Sequence, residues 1–188
     1  YKITIEKDAG KINVGGTEHN LDSSFNVDGL SWDNDSNTLT MNGYGGAYIH
    51  KTDSLKEITI KVVEKNSITT SAYMEDALDF DKLSIIGDSK TGDELSLTVT
   101  DNNSRAVNNN TNIENVTLII VANFTNAGNS NIGIFGNTLV DNGHLEIKAD
   151  KNNAGTRVMY GVGNNLTFAN GGSADIELTD KQGSRVSV

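Results

Sequence analysis

Leu83-Ser84-Ile85-Ile86, Leu95-Ser96-Leu97-Thr98-Val99 and Ala106-Val107 are three short strand-like segments in close succession, and the triplet returns along the chain. Apolar and polar residues alternate within them, and Asn, Gly and Asp clusters separate them, which is the signature of strands joined by turns. Glu57-Ile58-Thr59-Ile60-Lys61-Val62, Val116-Thr117-Leu118-Ile119-Ile120 and Leu145-Glu146-Ile147-Lys148 read the same way. Helical spacing does not persist in any window, apart from a short turn signal near Met74 to Leu78. The segments of the third kind carry Ile49, Leu78, Val107, Ile134, Tyr160 and Val186, with successive gaps of 29, 29, 27, 26 and 26 by subtraction. Those gaps fall in the range of about 20–50 residues expected of solenoid repeats.

Two further strand-like pieces accompany each period. One set begins near Leu39, Ile58, Leu83, Val116, Leu139 and Leu166. The other comprises Ser67-Ile68-Thr69, Leu95 to Val99, Asn123-Phe124-Thr125, Leu145 to Lys148 and Ile176-Glu177-Leu178. Three short strands per coil of roughly 27 residues is the build of a parallel β-helix. The expected fold is all-β: a right-handed single-stranded parallel β-helix of about six coils with an N-terminal β cap, residues 1–30 forming the cap and 31–188 the helix. Asn108-Asn109-Asn110 and Asn152-Asn153 suit its corners, because Asn tolerates left-handed backbone. The rival is an antiparallel sandwich, which also has short, regularly spaced strands but gives no reason for a repeated three-strand unit.

Composition agrees with a thin, stacked core. Of 188 residues, 36% are hydrophobic and only 6% aromatic, with 19 glycines and no proline. Average usage would give about nine prolines. A chain whose strands have neighbours on both sides has reason to exclude a residue that removes a backbone donor. The formal charge of −10, with Arg105, Arg157 and Arg185 far apart, argues against nucleic acid as a partner. Cysteine is absent, which excludes disulfides and thiolate metal sites. The longest apolar run, Val116 to Ala122, is far short of the roughly 20 residues of a spanning helix, so no membrane insertion is expected of this segment. Both ends, Tyr1-Lys2-Ile3-Thr4-Ile5 and Val186-Ser187-Val188, read as boundaries inside a longer protein.

The stretch from Gly29-Leu30-Ser31-Trp32-Asp33-Asn34-Asp35 through Leu39-Thr40-Met41-Asn42-Gly43-Tyr44 resembles the opening coil of β-helical repeat domains on Firmicutes cell-surface proteins. Some of those domains carry the loose label of carbohydrate-binding domain. Asn13-Val14-Gly15-Gly16-Thr17 resembles their leading hairpin, and Leu83 to Asp88 followed by Leu95 to Val99 their paired strands around a Gly-rich corner. The resemblance spans nearly the whole chain and implies fold and an extracellular or cell-surface location. Its motifs are turns and core positions, so it transfers no functional residue.

Few residues point to chemistry. Asp33-Asn34-Asp35-Ser36-Asn37 begins like a calcium loop, but Thr38 and Tyr44 stand where an EF-hand needs Gly and Glu, which leaves an Asx turn. Asp79 and Asp81 sit two apart on one strand and are the candidates for a hard cation such as calcium, against ordinary surface charge. Trp32, Tyr44 and Tyr48 are the candidate sugar-stacking aromatics. For Trp32 the competing reading is a plug over the open end of the helix.

Polysaccharide lyases and glycoside hydrolases also use β-helices, and Glu146, Glu177 and Arg157 are the residues such an enzyme would draw on. A glycosidase needs two carboxylates about 5–9.5 Å apart across one bond, whereas fold alone licenses no activity. The expectation is a non-catalytic module without cofactor, its partners glycans or host and cell-surface proteins, its work adhesion or glycan binding. The enzyme and a structural spacer are the alternatives.

Overall fold

A computed structural model describes residues 10–52, 57–71, 75–100, 104–124, 131–151, 159–180 and 186–187. Among them there are strands and no helix, and the strands form a parallel β-solenoid. The chain starts with antiparallel pieces: β1 (Lys11–Val14) and β2 (Thr17–Asn20) make a hairpin, while β3 (Phe25–Val27) and β4 (Leu30–Asp33) lead by antiparallel pairing into β5 (Thr38–Asn42). Gly15 and Gly16 turn the first hairpin at φ 56° and 95°, the doubly left-handed turn whose twist matches paired strands. Asp33 closes the β4–β5 turn, its carboxylate accepting from Asp35 N at 3.0 Å and Ser36 Oγ at 2.6 Å, the expected Asx turn.

From β5 onward the chain coils. The first coil adds β6 (Gly45–Gly46) and β7 (Ile49–Lys51), and the second begins with β8 (Glu57–Val63) and β9 (Lys65–Thr70). The long β10 (Leu78–Ile86) ends the second coil and opens the third, which holds β11 (Glu94–Val99). β12 (Arg105–Glu114) does the same for the fourth, which holds β13 (Thr117–Phe124) and β14 (Asn131–Phe135). The fifth coil is β15 (Thr138–Asp141), β16 (His144–Lys151) and β17 (Met159–Val162). The sixth is β18 (Leu166–Ala169), β19 (Ser173–Asp180) and β20 (Val186–Ser187).

Three parallel faces result. The first stacks β7, residues 78–79 of β10, residues 105–108 of β12, β14, β17 and β20. The second stacks β5, β8, residues 82–86 of β10, residues 111–114 of β12, β15 and β18. The third stacks β6, β9, β11, β13, β16 and β19. Four coils, the second to the fifth, have a parallel neighbour on both sides of every face; the outer two are cut short, with two-residue strands at β6 and β20. The expected count of about six coils thus reduces to about four full turns.

Inward side chains stack as columns. Leu39, Ile60, Ile85, Ile113 and Val140 align on the second face, and Ile68, Leu97, Ile120 and Ile147 on the third, each fully buried. The columns lose cover at the sixth coil, where Leu166, Ile176 and Leu178 are half-buried and Phe168 is 48% exposed. At the other end Ile12, Leu21, Leu30 and Trp32 close the first coil. Gly133 and Gly161 let neighbouring coils approach closely, since an added Cβ would fall 2.6 Å from Gly161 O at the first and 2.8 Å from Ile176 Cγ2 at the second.

Register corrects two details of the repeat. Ile134 pairs with Val162 and Val186 with Met159, so Tyr160 is not the anchor of its coil. Val116 and β13 belong to the third face, and the second-face strand of that coil is the polar Thr111-Asn112-Ile113-Glu114. That stretch reads as a turn cluster because it extends the Asn108-Asn109-Asn110 corner. Only Ile113 gives it an apolar signal strong enough to recognise. Asn152-Asn153 and Met74 lie outside the described residues.

Between the second and third faces the chain turns on one left-handed residue: Glu64 (φ 59°), Asn115 (53°), Asn142 (48°) or Asn170 (48°). Asn142 Nδ2 donates to Asn115 Oδ1 at 2.7 Å, which ties one corner to the next. Asn takes up such a backbone more readily than a long straight side chain does. Glu64→Asn is therefore expected to raise stability by about 0.5–1 kcal/mol, read as a higher urea midpoint with unchanged slope.

In the third coil this corner expands into a loop organised by Asp93, which accepts from Glu64 N (2.9 Å), Asp88 N (2.7 Å) and Ser89 N (2.9 Å). Burial works against its charge, but those three N–H groups, with Lys61, outweigh it and hold the carboxyl below the usual range. A depressed carboxylate stabilises the fold above its unfolded pKa, and the contribution is lost as pH falls through the folded value. Asp93→Asn sets an NH2 group against at least one of these N–H donors and should cost about 1–3 kcal/mol at neutral pH. Urea melts in acid should bring variant and parent together.

Candidate functional site

The residues singled out as chemical fall into separate places. Trp32 is inward on β4 and 2% exposed, and its Nε1 donates to Leu21 O at 3.0 Å, so no ring face is free for a sugar. It is the plug. Tyr44 is also buried, with its hydroxyl on Ala47 O (3.1 Å) and its backbone N–H on Asn66 Oδ1 (2.8 Å). Burial, then Asp28, pushes its phenol pKa up. Tyr48 is half-buried and stacks on His50 with ring centres 4.3 Å apart.

Asp79 and Asp81 do not cooperate. The strand breaks register between Asp79 and Lys82, placing the two carboxylates on different sides of a corner. Asp79 accepts from Asn108 Nδ2 at 2.9 Å, and Asp81 pairs with Lys51 of the coil before. Among the described residues no group of three or more His, Asp or Glu side chains is placed to hold a metal ion.

Glu146 and Glu177 are likewise not opposed. Register sets Glu146 against Asp175 and Lys148 against Glu177, and Glu146 is paired with Lys148. Glu146, followed by Glu177 and Asp175, raises the Lys148 pKa. Arg157 lies outside the described residues. Among the described residues, Asp76 has its carboxyl held above the usual range, raised by burial and partly offset by Arg105. Its Oδ1 accepts from Arg105 N at 2.7 Å and its Oδ2 lies 3.8 Å from the guanidinium, so the group is engaged in holding the corner.

What the fold assembles instead is a row along the first face. His50, Asp79, Asn108 and Phe135 are paired in register over four successive coils. Arg105 binds Asn108 Oδ1 at 2.6 Å and lies over the Phe135 ring at 4.6 Å, while the His50 ring bonds the Asp76 carbonyl. Phe135 remains 39% exposed. The chain then rounds Gly136 and Asn137 to Leu139, an outward residue of β15 that is 36% exposed. Leu139 is set against Asn112 on one side and Thr167 on the other. A groove of about 230 Å³ runs there over the second face, lined among others by Lys82, Asn110, Asn112, Asn137 and Leu139.

In the sequence alone His50 has no neighbour to mark it, and Asn108 reads only as a corner residue. The missed signal was the repeat itself: His50, Asp79 and Asn108 are 29 and 29 apart and Phe135 another 27, the spacing already read from the apolar anchors. No helix of the described residues is long and apolar enough to cross a membrane. No protein-family model, curated protein or solved structure matches the chain.

Proposed function

We propose that this is a non-catalytic binding module of a bacterial surface protein, engaged in adhesion through contact with glycans. The observation that carries the reading is the side of the solenoid where Phe135 and Leu139 stand exposed among Asn108, Asn110, Asn112 and Asn137, on the two flanks of one corner. Isolated apolar side chains on a surface are ordinary. An aromatic ring and a Leu flanking a cluster of carboxamides, all on stacked strands, supply the mixture that sugar binding uses: apolar area for ring C–H faces and fixed amides for hydroxyls. Stacked strands also hold these groups rigid, which reduces the ordering cost of binding. The acidic, cysteine-free composition suits an exported protein.

The deciding experiment is a glycan array with the purified domain, with and without calcium, reading binding and reducing-end release together. The expected result is calcium-independent binding with no release. Release of product would overturn the non-catalytic reading, and silence in both channels would leave a spacer in its place.

A further inference from the structure

The groove on the second face has a periodicity of its own. Lys82 belongs to the third coil, Asn110 and Asn112 to the fourth, Asn137 and Leu139 to the fifth, and Thr167 to the sixth. Strands stack at about 4.8 Å, so the groove covers about 14 Å along the solenoid axis. At about 230 Å³ it is smaller than the cavities that enclose drug-sized ligands, and it lies open. Its shape suits a chain that passes across it.

The amides are set at the same step. Asn110 and Asn137 are exposed and one coil apart, and Asn137 N donates to Asn110 Oδ1 at 2.9 Å. Asn137 Oδ1 in turn accepts from Asn165 N at 3.4 Å and Asn165 Nδ2 at 3.2 Å. Each carboxamide is thus anchored through its oxygen, and the two Nδ2 groups have no hydrogen-bond partner among the described residues. A carboxamide nitrogen carries two donors. Beside them, Asn112 occupies an outward position between Ser84 and Leu139, and its Oδ1 is a buried acceptor without a partner. Buried acceptors are ordinarily satisfied, and Asn112 is among the residues that line the groove. Thr138 Oγ1 is unpartnered too, on the buried side of its strand.

Charge and backbone narrow the ligand. Lys82, the charged residue of the lining, is paired with Glu57 at 2.5 Å. A peptide adding as a strand would need free backbone groups, yet the 82–86, 111–114 and β15 strands are paired on both sides. Side-chain amides at a fixed step and one apolar side chain remain. Sugar rings of an extended glycan repeat at nearly the coil spacing.

We propose that this groove holds a linear, neutral glycan lying along the solenoid axis, one ring per coil. Asn110 and Asn137 donate to hydroxyls of successive rings, Asn112 accepts, and Leu139 lies under a ring C–H face. The assignment rests on the glycan reading above and gives it a site, a direction and a ligand class.

The test is calorimetric titration with neutral linear oligosaccharides of increasing length, taken from array hits. Affinity should rise with length and level off at about four rings, one for each coil the groove touches. The double variant Asn110→Asp/Asn137→Asp keeps the oxygens that accept from the next coil and removes both donors. It should bind at least about tenfold more weakly with an unchanged melting profile, and Leu139→Asp should do likewise. Phe135→Ala, which removes the ring on the other flank of the corner, should weaken binding by less than the groove variants do. Undiminished binding by the groove variants, with loss in Phe135→Ala, overturns the groove while leaving the glycan reading intact. Preference for charged glycans overturns the ligand class. Absence of glycan binding by the parent domain overturns both.

Discussion

Trp32→Ala is expected to cost about 3–5 kcal/mol and to lower the melting temperature by roughly 10 °C. The ring is the largest side chain closing the N-terminal end, 2% exposed and packed with Ile12, Leu21 and Leu30 in the same core. Removing it leaves a cavity over the first coil and strips Leu21 O of the indole donor at 3.0 Å. Trp32→Phe keeps most of the bulk and loses only the hydrogen bond, so it should fall about 1–2 kcal/mol below the parent. Thermal melts of the three proteins by circular dichroism check the order. A Trp32→Ala protein that melts within a degree or two of the parent would mean that the cap does not seal the core. The same variant, assayed below its melting point, should bind glycan as the parent does, because the ring lies far along the chain from the Asn110–Leu139 groove.

Gly136→Ala should be at least as damaging. Gly136 holds φ 141°, and a Cβ there would fall 2.5 Å from the carbonyl carbon of Asn109 and 2.7 Å from Asn110 N. Those are backbone atoms of the preceding coil. They cannot swing aside as a side-chain tip can, so the methyl must pry two coils apart at the corner. A loss of about 3–5 kcal/mol, or no soluble protein, is expected. Gly43→Ala is the control. It also has positive φ, at 69°, but no atom lies within 4 Å of the added Cβ, so only the left-handed backbone is penalised, at about 1 kcal/mol. Equal losses in the two variants would show that the close approach of coils at Gly136 is not what the glycine serves.

Much of the architecture was readable because an inward column forces strict alternation. β8, β11 and β16 expose it, and the solenoid period follows from it. The readings that failed share a cause. A single chain shows which residues alternate but not which coil position they face. Leu139 marks the start of a strand in the sequence but points outward; Thr138 and Val140 are the inward pair. Tyr160 displaced Val162 as anchor because a two-residue slip preserves alternation. Glu146 and Glu177 are 31 residues apart where the register of their strands is 29, as Glu146 against Asp175 shows. Asp33 makes the expected Asx turn, and of the two readings offered for Trp32 its burial fits the plug and not the sugar platform. The candidate binding surface was the least legible part. Its members belong to four coils and meet only when the register is known to the residue.

That register also bears on heredity. Thr111 lies against Thr138 and Thr117 against His144, each 27 residues apart by subtraction. Losing or gaining a single residue slides every later strand and turns core positions outward, so short insertions and deletions inside strands should be purged. Removing a stretch of that length is different: the third coil would meet the fifth, with Leu83 against Thr138 and Leu97 against Ile147. The coil, not the residue, is then the step by which such a gene can lengthen or shorten, and relatives should differ in whole turns between a constant cap and a variable far end.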